Sequence, residues 1–218
     1  MSVDVATSRF QNVAELLAAL GDVPAERVRL DVLPGEAAED DVVQVNDRKQ
    51  GLCELVDGVL VEKTMGAFES FLAVELIMAL GRFVRERDLG LVLGTDGMFR
   101  LAPGLVRLPD VSFIAWSQLP GRVFPRVAIA DLYPNLAVEI LSRSNTAGEM
   151  RRKRQEYFAA GTQAVWELNP VTREMAVYSD VDEFQTIPAD GAVTGGVVLP
   201  GFSLKIAAIF ALAPPMDE

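Results

Sequence analysis

The spacing of apolar residues along the chain predicts both helices and strands. Leu and Ala recur through residues 11–20 and 67–86, so we predict a helix in each segment. The second segment is apolar over most of its circumference, and we expect that helix to be largely buried. Shorter apolar runs predict core strands over residues 110–116, 135–142, 164–169 and 174–179. Strands that alternate with helices indicate an α/β or α+β fold.

Turn and cap residues add detail to this pattern. An Asp-Gly pair at residues 57–58 separates two extended runs within residues 52–62, which predicts a β-hairpin. Thr146, with Glu149 three residues later, is typical of a helix start, and Gly161 is typical of a helix end. We therefore predict a helix that leads from Thr146 to about residue 160.

We divide the chain into an N-terminal extension, residues 1–50, which contains the first short helix, and one domain, residues 51–218. The extension has two interrupting prolines and an acidic stretch, residues 36–41. A chain of 218 residues can bury one sizeable core, and we find no internal repeat.

The composition restricts which kinds of catalytic and metal-binding site the chain can form. The chain has no histidine, which excludes His-based triads and the usual His-containing zinc sites. The groups left for catalysis are carboxylates, lysine and hard metal ions such as Mg²⁺. The formal net charge is −11, whereas duplex-binding proteins usually carry a basic surface, so any nucleic-acid contact must come from a local patch.

Cys53 is the single cysteine, so no intrachain disulfide can form. The first ten residues lack the basic and apolar regions of a secretory signal. No apolar run approaches the roughly 20 residues that a membrane-spanning helix needs. We therefore expect a cytoplasmic protein without membrane contact.

Asp110 opens one apolar run and Glu139 lies inside another. A carboxylate in a buried strand is costly unless it is paired or bound to a cation. Together with the basic residues 151–154, this pair suggests a metal site that handles phosphate, with the Ile140 carbonyl as a third oxygen ligand. Taken alone, Asp110 is better explained as a turn residue after a proline. The corresponding alternative for Glu139, a core ion-pair partner, is weaker because its neighbours are uniformly apolar.

Lys153 and Arg154 both have helical spacing that places them near apolar neighbours, so periodicity does not choose between them. A compact lysine suits a water-orienting role better than a planar guanidinium. Charge runs are usually solvated faces, and that alternative stays open. Glu54 on the hairpin is equally compatible with an ordinary outward strand residue.

The order of several motifs resembles the Uma2 family, within the PD-(D/E)XK nuclease superfamily. The resemblance runs from about Leu52 to the C-terminal segment. Its markers are residues 54–58 (ELVDG), 108–113 (LPDVSF), 134–142 (PNLAVEILS), Lys153, Tyr157, 165–170 (VWELNP) and 199–203 (LPGFS).

The resemblance implies a restriction-endonuclease-like core, with a central mixed β-sheet flanked by helices and an N-terminal β-hairpin. Asp110 and Glu139 match the two acids of the superfamily motif. Leu141 replaces the usual strand lysine, and Lys153 matches the family's relocated lysine. Glu54 matches a further family acid. Glu69 stands near the place where relatives often carry a histidine.

The function implied is a metal-dependent endonuclease that hydrolyses DNA phosphodiester bonds, with Mg²⁺ or Mn²⁺ as cofactor. We expect a homodimer, because cleavage of two strands favours two sites. Two alternatives remain: a non-catalytic nucleic-acid or protein-binding member of the same fold, and a hydrolase of small phosphoesters. The acidic net charge favours both over a DNA-cutting enzyme.

Overall fold

The computed structural model describes residues 10–48 and 51–213. Residues 1–9, where we looked for a secretory signal, lie outside this range, as do residues 49–50 at the predicted domain boundary. Within the described range, no helix combines the length and apolarity needed to cross a membrane. The α-helices are α1 Val13–Ala19, α2 Glu39–Asp47, α3 Ala67–Glu86, α4 Ala147–Ala160 and α5 Ile206–Ile209.

Within residues 10–48 and 51–213, the strands form three sheets, of which two are large. The first strands along the chain are β1 Leu52–Val56, β2 Val59–Lys63, β3 Gly90–Leu93, β4 Met98–Ala102, β5 Leu105–Arg107, β6 Val111–Ala115 and β7 Ile129–Ala130. They are followed by β8 Leu136–Ile140, β9 Ala164–Asn169, β10 Glu174–Tyr178, β11 Phe184–Ile187, β12 Ala192–Thr194 and β13 Ser203–Lys205.

Both large sheets are mixed. One has five strands in the order β2-β1-β5-β4-β7, and the other has six in the order β11-β10-β9-β8-β6-β3. The pairs β4–β7 and β8–β9 are parallel and the remaining neighbours are antiparallel. These elements form the mixed α+β fold expected from the sequence. The six-stranded sheet corresponds to the predicted central sheet, and the hairpin β1–β2 belongs to the second sheet.

Several predicted elements lie where the sequence placed them. Asp57 and Gly58 both have positive φ (54° and 72°), as a tight hairpin turn between β1 and β2 requires. Thr146 caps α4 by accepting a hydrogen bond from the Glu149 amide at 3.0 Å. Gly161 ends the helix in the left-handed conformation, with φ of 112°.

Helix α3 covers the six-stranded sheet and is less buried than its composition suggested. Leu72, Leu76 and Leu80 are fully buried in the same core cluster as strand residues of β6 and β8. On the opposite side, Val74 and Met78 are about half exposed (49% and 53%). The apolar composition therefore exceeds what the sheet covers, because a helix on the outside of a sheet buries only one face.

The N-terminal extension is attached to the start of α4 by a buried ion pair. The Arg27 guanidinium donates to both Glu149 carboxylate oxygens at 2.7 and 2.8 Å, and it also donates to the Glu62 carbonyl at 2.9 Å. Nearby, Gly21 and Gly148 approach so closely that a Cβ on Gly148 would lie 2.6 Å from the Gly21 carbonyl oxygen. The extension thus fixes the position of the helix that follows β8.

We predict that Arg27→Met lowers the free energy of unfolding by about 3–5 kcal/mol, because it leaves the buried Glu149 charge unpaired. Urea denaturation measures this change. Arg82→Met is the matched control: its pair with Glu86 is exposed, and its loss is expected to cost less than about 1 kcal/mol. Equal effects of the two substitutions would contradict the prediction.

Candidate active site

Asp110 and Glu139 lie side by side where β6 and β8 pair. Val111 is opposite Val138 in this antiparallel ladder, so Asp110, just before β6, faces Glu139, just after Val138. The Asp110 Oδ2 accepts a hydrogen bond from the Ile140 amide at 2.6 Å, which fixes the carboxylate against β8. Both acids are buried, with exposed fractions of 3% and 4%.

Helix α4 brings two donors to Glu139. The Lys153 Nζ donates to Oε2 at 3.0 Å, and the Tyr157 hydroxyl donates to Oε1 at 2.7 Å. These two residues are four apart and therefore share one helix face. Arg154, which periodicity could not separate from Lys153, instead contacts Glu167 at 2.5 Å. The tertiary structure thus distinguishes the two cations.

Glu54 reaches the same cluster from the other large sheet. It is fully buried, so the alternative of an outward strand residue does not hold. Its carboxylate accepts hydrogen bonds from Arg107 at 2.7 Å and from the Leu108 amide at 3.1 Å. The Lys153 Nζ lies 3.3 Å from Glu54 Oε1, and it therefore bridges Glu54 and Glu139.

Three members of the cluster were not identified as site residues from the sequence. Lys63, at the end of β2, lies 2.8 Å from Asp110 Oδ1 and also contacts the Leu108 carbonyl. Arg107 pairs with Glu54, and Tyr157 is a core aromatic, as expected, that also bonds Glu139. Only Tyr157 had a sequence signal, as a marker of the family resemblance four residues after Lys153. Lys63 and Arg107 are charged strand-end residues of a kind that usually faces solvent.

Acids and cations therefore alternate through a buried cluster that joins the two large sheets. Contacts across the cluster link strands β1, β2 and β5 to strands β6 and β8 and to helix α4. Its three acids are Glu54, Asp110 and Glu139, and its three cations are Lys63, Arg107 and Lys153.

Burial and neighbouring charge shift the pKa values in this cluster. Burial raises the pKa of Glu139, and the Asp110 charge adds to the shift although Lys153 opposes it. Burial also opposes ionisation of Glu54, but Lys153 and Arg107 outweigh it and lower the pKa of that carboxyl. The pKa of Lys153 is raised, because attraction to Glu139 and Glu54 exceeds the effect of burial. Lys153 is therefore charged at neutral pH.

The residues present fit a hard divalent cation. Asp110 Oδ1 is buried and accepts no hydrogen bond within the described part of the chain; Lys63 is close enough for an ion pair but is not oriented as a hydrogen-bond donor. Across residues 10–48 and 51–213, no group of three or more Asp, Glu, Cys or His side chains could hold a metal ion. Mg²⁺ needs only one or two carboxylates, because it retains several waters.

Comparison with known proteins identifies the family of the chain. The family model described as "Uma2: Putative restriction endonuclease" matches residues 40–207. The chain belongs to the Uma2 family. The predicted resemblance is thereby confirmed. The matched segment begins at residue 40, so α1 and Arg27 lie outside it. No curated protein matches the chain.

A solved structure supports the fold. The crystal structure of a "putative nuclease belonging to DUF820" from Anabaena variabilis is similar to this protein with a TM-score of 0.64 and 20% sequence identity. The match covers 74% of this chain and 91% of that chain. The predicted restriction-endonuclease-like fold class is confirmed. Family and fold together indicate a nuclease.

The lowered pKa of Glu54 predicts an acid-dependent loss of stability. The pKa of Glu54 in the folded protein lies below its ordinary value of 4.5. The ionised carboxylate therefore contributes its full stabilisation above about pH 4.5, and this contribution decreases as the pH falls towards the folded pKa. We expect the wild type to lose more stability between about pH 5 and pH 3 than Glu54→Gln does. Urea midpoints across this range test it, with Glu86→Gln on the surface as control. A steeper acid loss in the Gln variant would contradict it.

Proposed function

We propose that this Uma2 protein is a Mg²⁺- or Mn²⁺-dependent endonuclease that hydrolyses phosphodiester bonds in DNA. The observation that carries the proposal is the pairing of Asp110 and Glu139 across β6 and β8, with the charged Lys153 on Glu139. The two buried carboxylates have different lysine partners, Lys63 on Asp110 and Lys153 on Glu139, and burial alone disfavours their ionised forms.

In this proposal Asp110, Glu139 and the Ile140 carbonyl would hold the metal ion. When bound, a divalent ion supplies a water of lowered pKa and neutralises charge on the reacting phosphate. The Ile140 amide orients Asp110, and Tyr157 orients Glu139 through its hydroxyl. These contacts restrict both carboxylates before any substrate binds, so little reorganisation is needed.

Lys153 acts through its charge. A general base must be unprotonated, whereas the raised pKa of Lys153 keeps it an ammonium at neutral pH. It therefore orients the attacking water or stabilises the negative charge on the pentavalent phosphorus. Glu54 assists by holding Lys153 from the opposite side, at 3.3 Å.

The proposal also covers the domain bounds, the localisation and the oligomeric state of the enzyme. We assign residues 51–218 to the nuclease domain and residues 1–50 to an extension of it. We place the enzyme in the cytoplasm, in line with its single free cysteine, Cys53. A homodimer would supply two sites for two strands, and light scattering on the purified protein tests that state.

Cleavage of supercoiled plasmid and single-stranded DNA with Mg²⁺ or Mn²⁺ tests the activity. We expect Asp110→Asn and Glu139→Gln to lose at least about 100-fold in rate, as when one electrostatic contact to a transition state is removed. Glu75→Gln is the control, because Glu75 lies on α3 outside the charge cluster. Wild-type rates in both acid variants would refute the assignment.

The net charge of −11 favours a second candidate, a hydrolase of small phosphoesters, for which an acidic surface is less of a handicap. Faster turnover of mononucleotide esters than of DNA would favour it. Binding of DNA without any cleavage would instead favour a non-catalytic member of the fold.

Lys63 competes with any cation at Asp110, because its ammonium already lies 2.8 Å from Oδ1. We predict that Lys63→Met strengthens Mn²⁺ binding, by about 10-fold if one ion pair of about 1.4 kcal/mol is removed. Calorimetric titration of the apoprotein with Mn²⁺ measures this. Lys205→Met is the control, since Lys205 is exposed at the end of β13. Weaker Mn²⁺ binding in Lys63→Met would show that the lysine supports the site.

A further inference from the structure

A cavity of about 850 Å³ opens beside the paired acids. It lies beyond the carboxyl ends of β8 and β9, the parallel pair that α4 connects. Leu141 and Ser142, which follow β8 directly, line it, as do Asn169 and Pro170 at the end of β9. Ligands commonly bind beyond the carboxyl ends of parallel strands in sheets of this kind.

The cavity adjoins the charge cluster but is separate from it. Asp110, Glu139 and Lys153 do not line it, whereas the residues just after Glu139 do. Its volume is within the range of small-molecule sites, about 300–1,000 Å³. A group held there would therefore be next to a substrate bond placed at the acids.

Two side chains of the cavity are accessible to a ligand, although the Phe68 ring also lies 6.4 Å from the Phe71 ring and 6.5 Å from the Phe210 ring. Arg143 is exposed on the loop between β8 and α4 and makes no ion pair or hydrogen bond with any residue in the described ranges. Phe68, at the start of α3, is partly exposed and contributes an aromatic ring to the lining.

The other aromatic ring and cation of the lining are already engaged. Tyr178 has the Arg154 guanidinium 4.2 Å above its ring and the Phe184 ring 4.9 Å away. Arg154 is also paired with Glu167 at 2.5 Å. Phe68 and Arg143 are therefore the ring and the cation of the lining that we assign to a ligand, in a cavity that Glu69 and Glu167 also line.

Building on the proposed nuclease function, we propose that this cavity binds one unpaired nucleotide of the substrate strand, with its base against Phe68 and its phosphate near Arg143. Every nucleobase has a π-face that can stack on an aromatic side chain, and a guanidinium suits phosphate. A base within a duplex is stacked on both sides, so only an unpaired or extruded nucleotide can enter. On a chain of charge −11, such a local contact is also what strand binding requires.

Binding without metal separates this inference from the nuclease reaction. A fluorescein-labelled single-stranded oligodeoxynucleotide is titrated with the full-length protein in EDTA, and anisotropy is recorded at several salt concentrations. We expect Phe68→Leu, which keeps an apolar side chain but removes the ring, to bind about 5- to 150-fold more weakly, the measured range for one base-stacking contact. Arg143→Ala should reduce the slope of log affinity against log salt by about 0.7, the value for one lost phosphate contact.

Two further variants guard against indirect effects. Phe68 also packs near Phe71, with ring centroids 6.4 Å apart, so Phe68→Trp serves as the rescue variant that keeps a ring at this position. It should restore binding, and its added indole fluorescence should be quenched by the stacked base. Arg126→Ala is the matched control for Arg143, since Arg126 is exposed and does not line the cavity. It should leave the salt slope unchanged.

The outcomes distinguish the cavity from the catalytic site. If Phe68→Leu and Arg143→Ala bind the strand as the wild type does, while Glu139→Gln still abolishes cleavage, the cavity assignment is wrong and the nuclease function stands. Equal wild-type affinity for a fully paired duplex, or no strand binding by the wild type, would also overturn it. Weaker binding in both variants supports the cavity even if no metal-dependent cleavage is found.

Discussion

The buried charge cluster between the two large sheets is the interaction on which the rest of the structure depends. Glu54 and Arg107 come from the five-stranded sheet, and Glu139 comes from the six-stranded sheet. Lys153 contacts an acid from each. Charges this deep are tolerated only when every one has a partner, because desolvation otherwise costs several kcal/mol per ion. Keeping these charges paired therefore requires that both sheets and α4 hold a fixed relative position.

Helix α4 contacts both the charge cluster and the N-terminal extension. Its inner face presents Lys153 and Tyr157 to Glu139, and its first turn presents Glu149 to Arg27 of the extension. The extension lies outside the segment matched by the Uma2 family, except for its last residues. Its contacts at Gly21 and Arg27 nevertheless hold the beginning of the helix that carries the site lysine. Site geometry in this chain thus depends in part on residues beyond the family core.

Local patterns predicted the elements well, because their causes are local. The hairpin turn at Asp57-Gly58 requires positive φ, which its two residues adopt readily, and α4 begins and ends at the cap residues that the sequence marks. The burial of α3 was less predictable. Its apolar composition suggested contacts on most sides, and only packing against the sheet decided that Val74 and Met78 remain exposed.

The sequence by itself predicted the fold class, which is confirmed, and marked the acids at 110 and 139 and the lysine at 153 as candidates, because carboxylates in apolar runs and ordered motifs are visible in one dimension. Only the tertiary structure placed Lys153 on Glu139 and Arg154 on Glu167, buried Glu54, and brought Lys63 and Arg107 to the acids. These contacts join residues far apart in the chain. Their partners are chosen by the pairing of strands and the packing of α4, which no local spacing encodes.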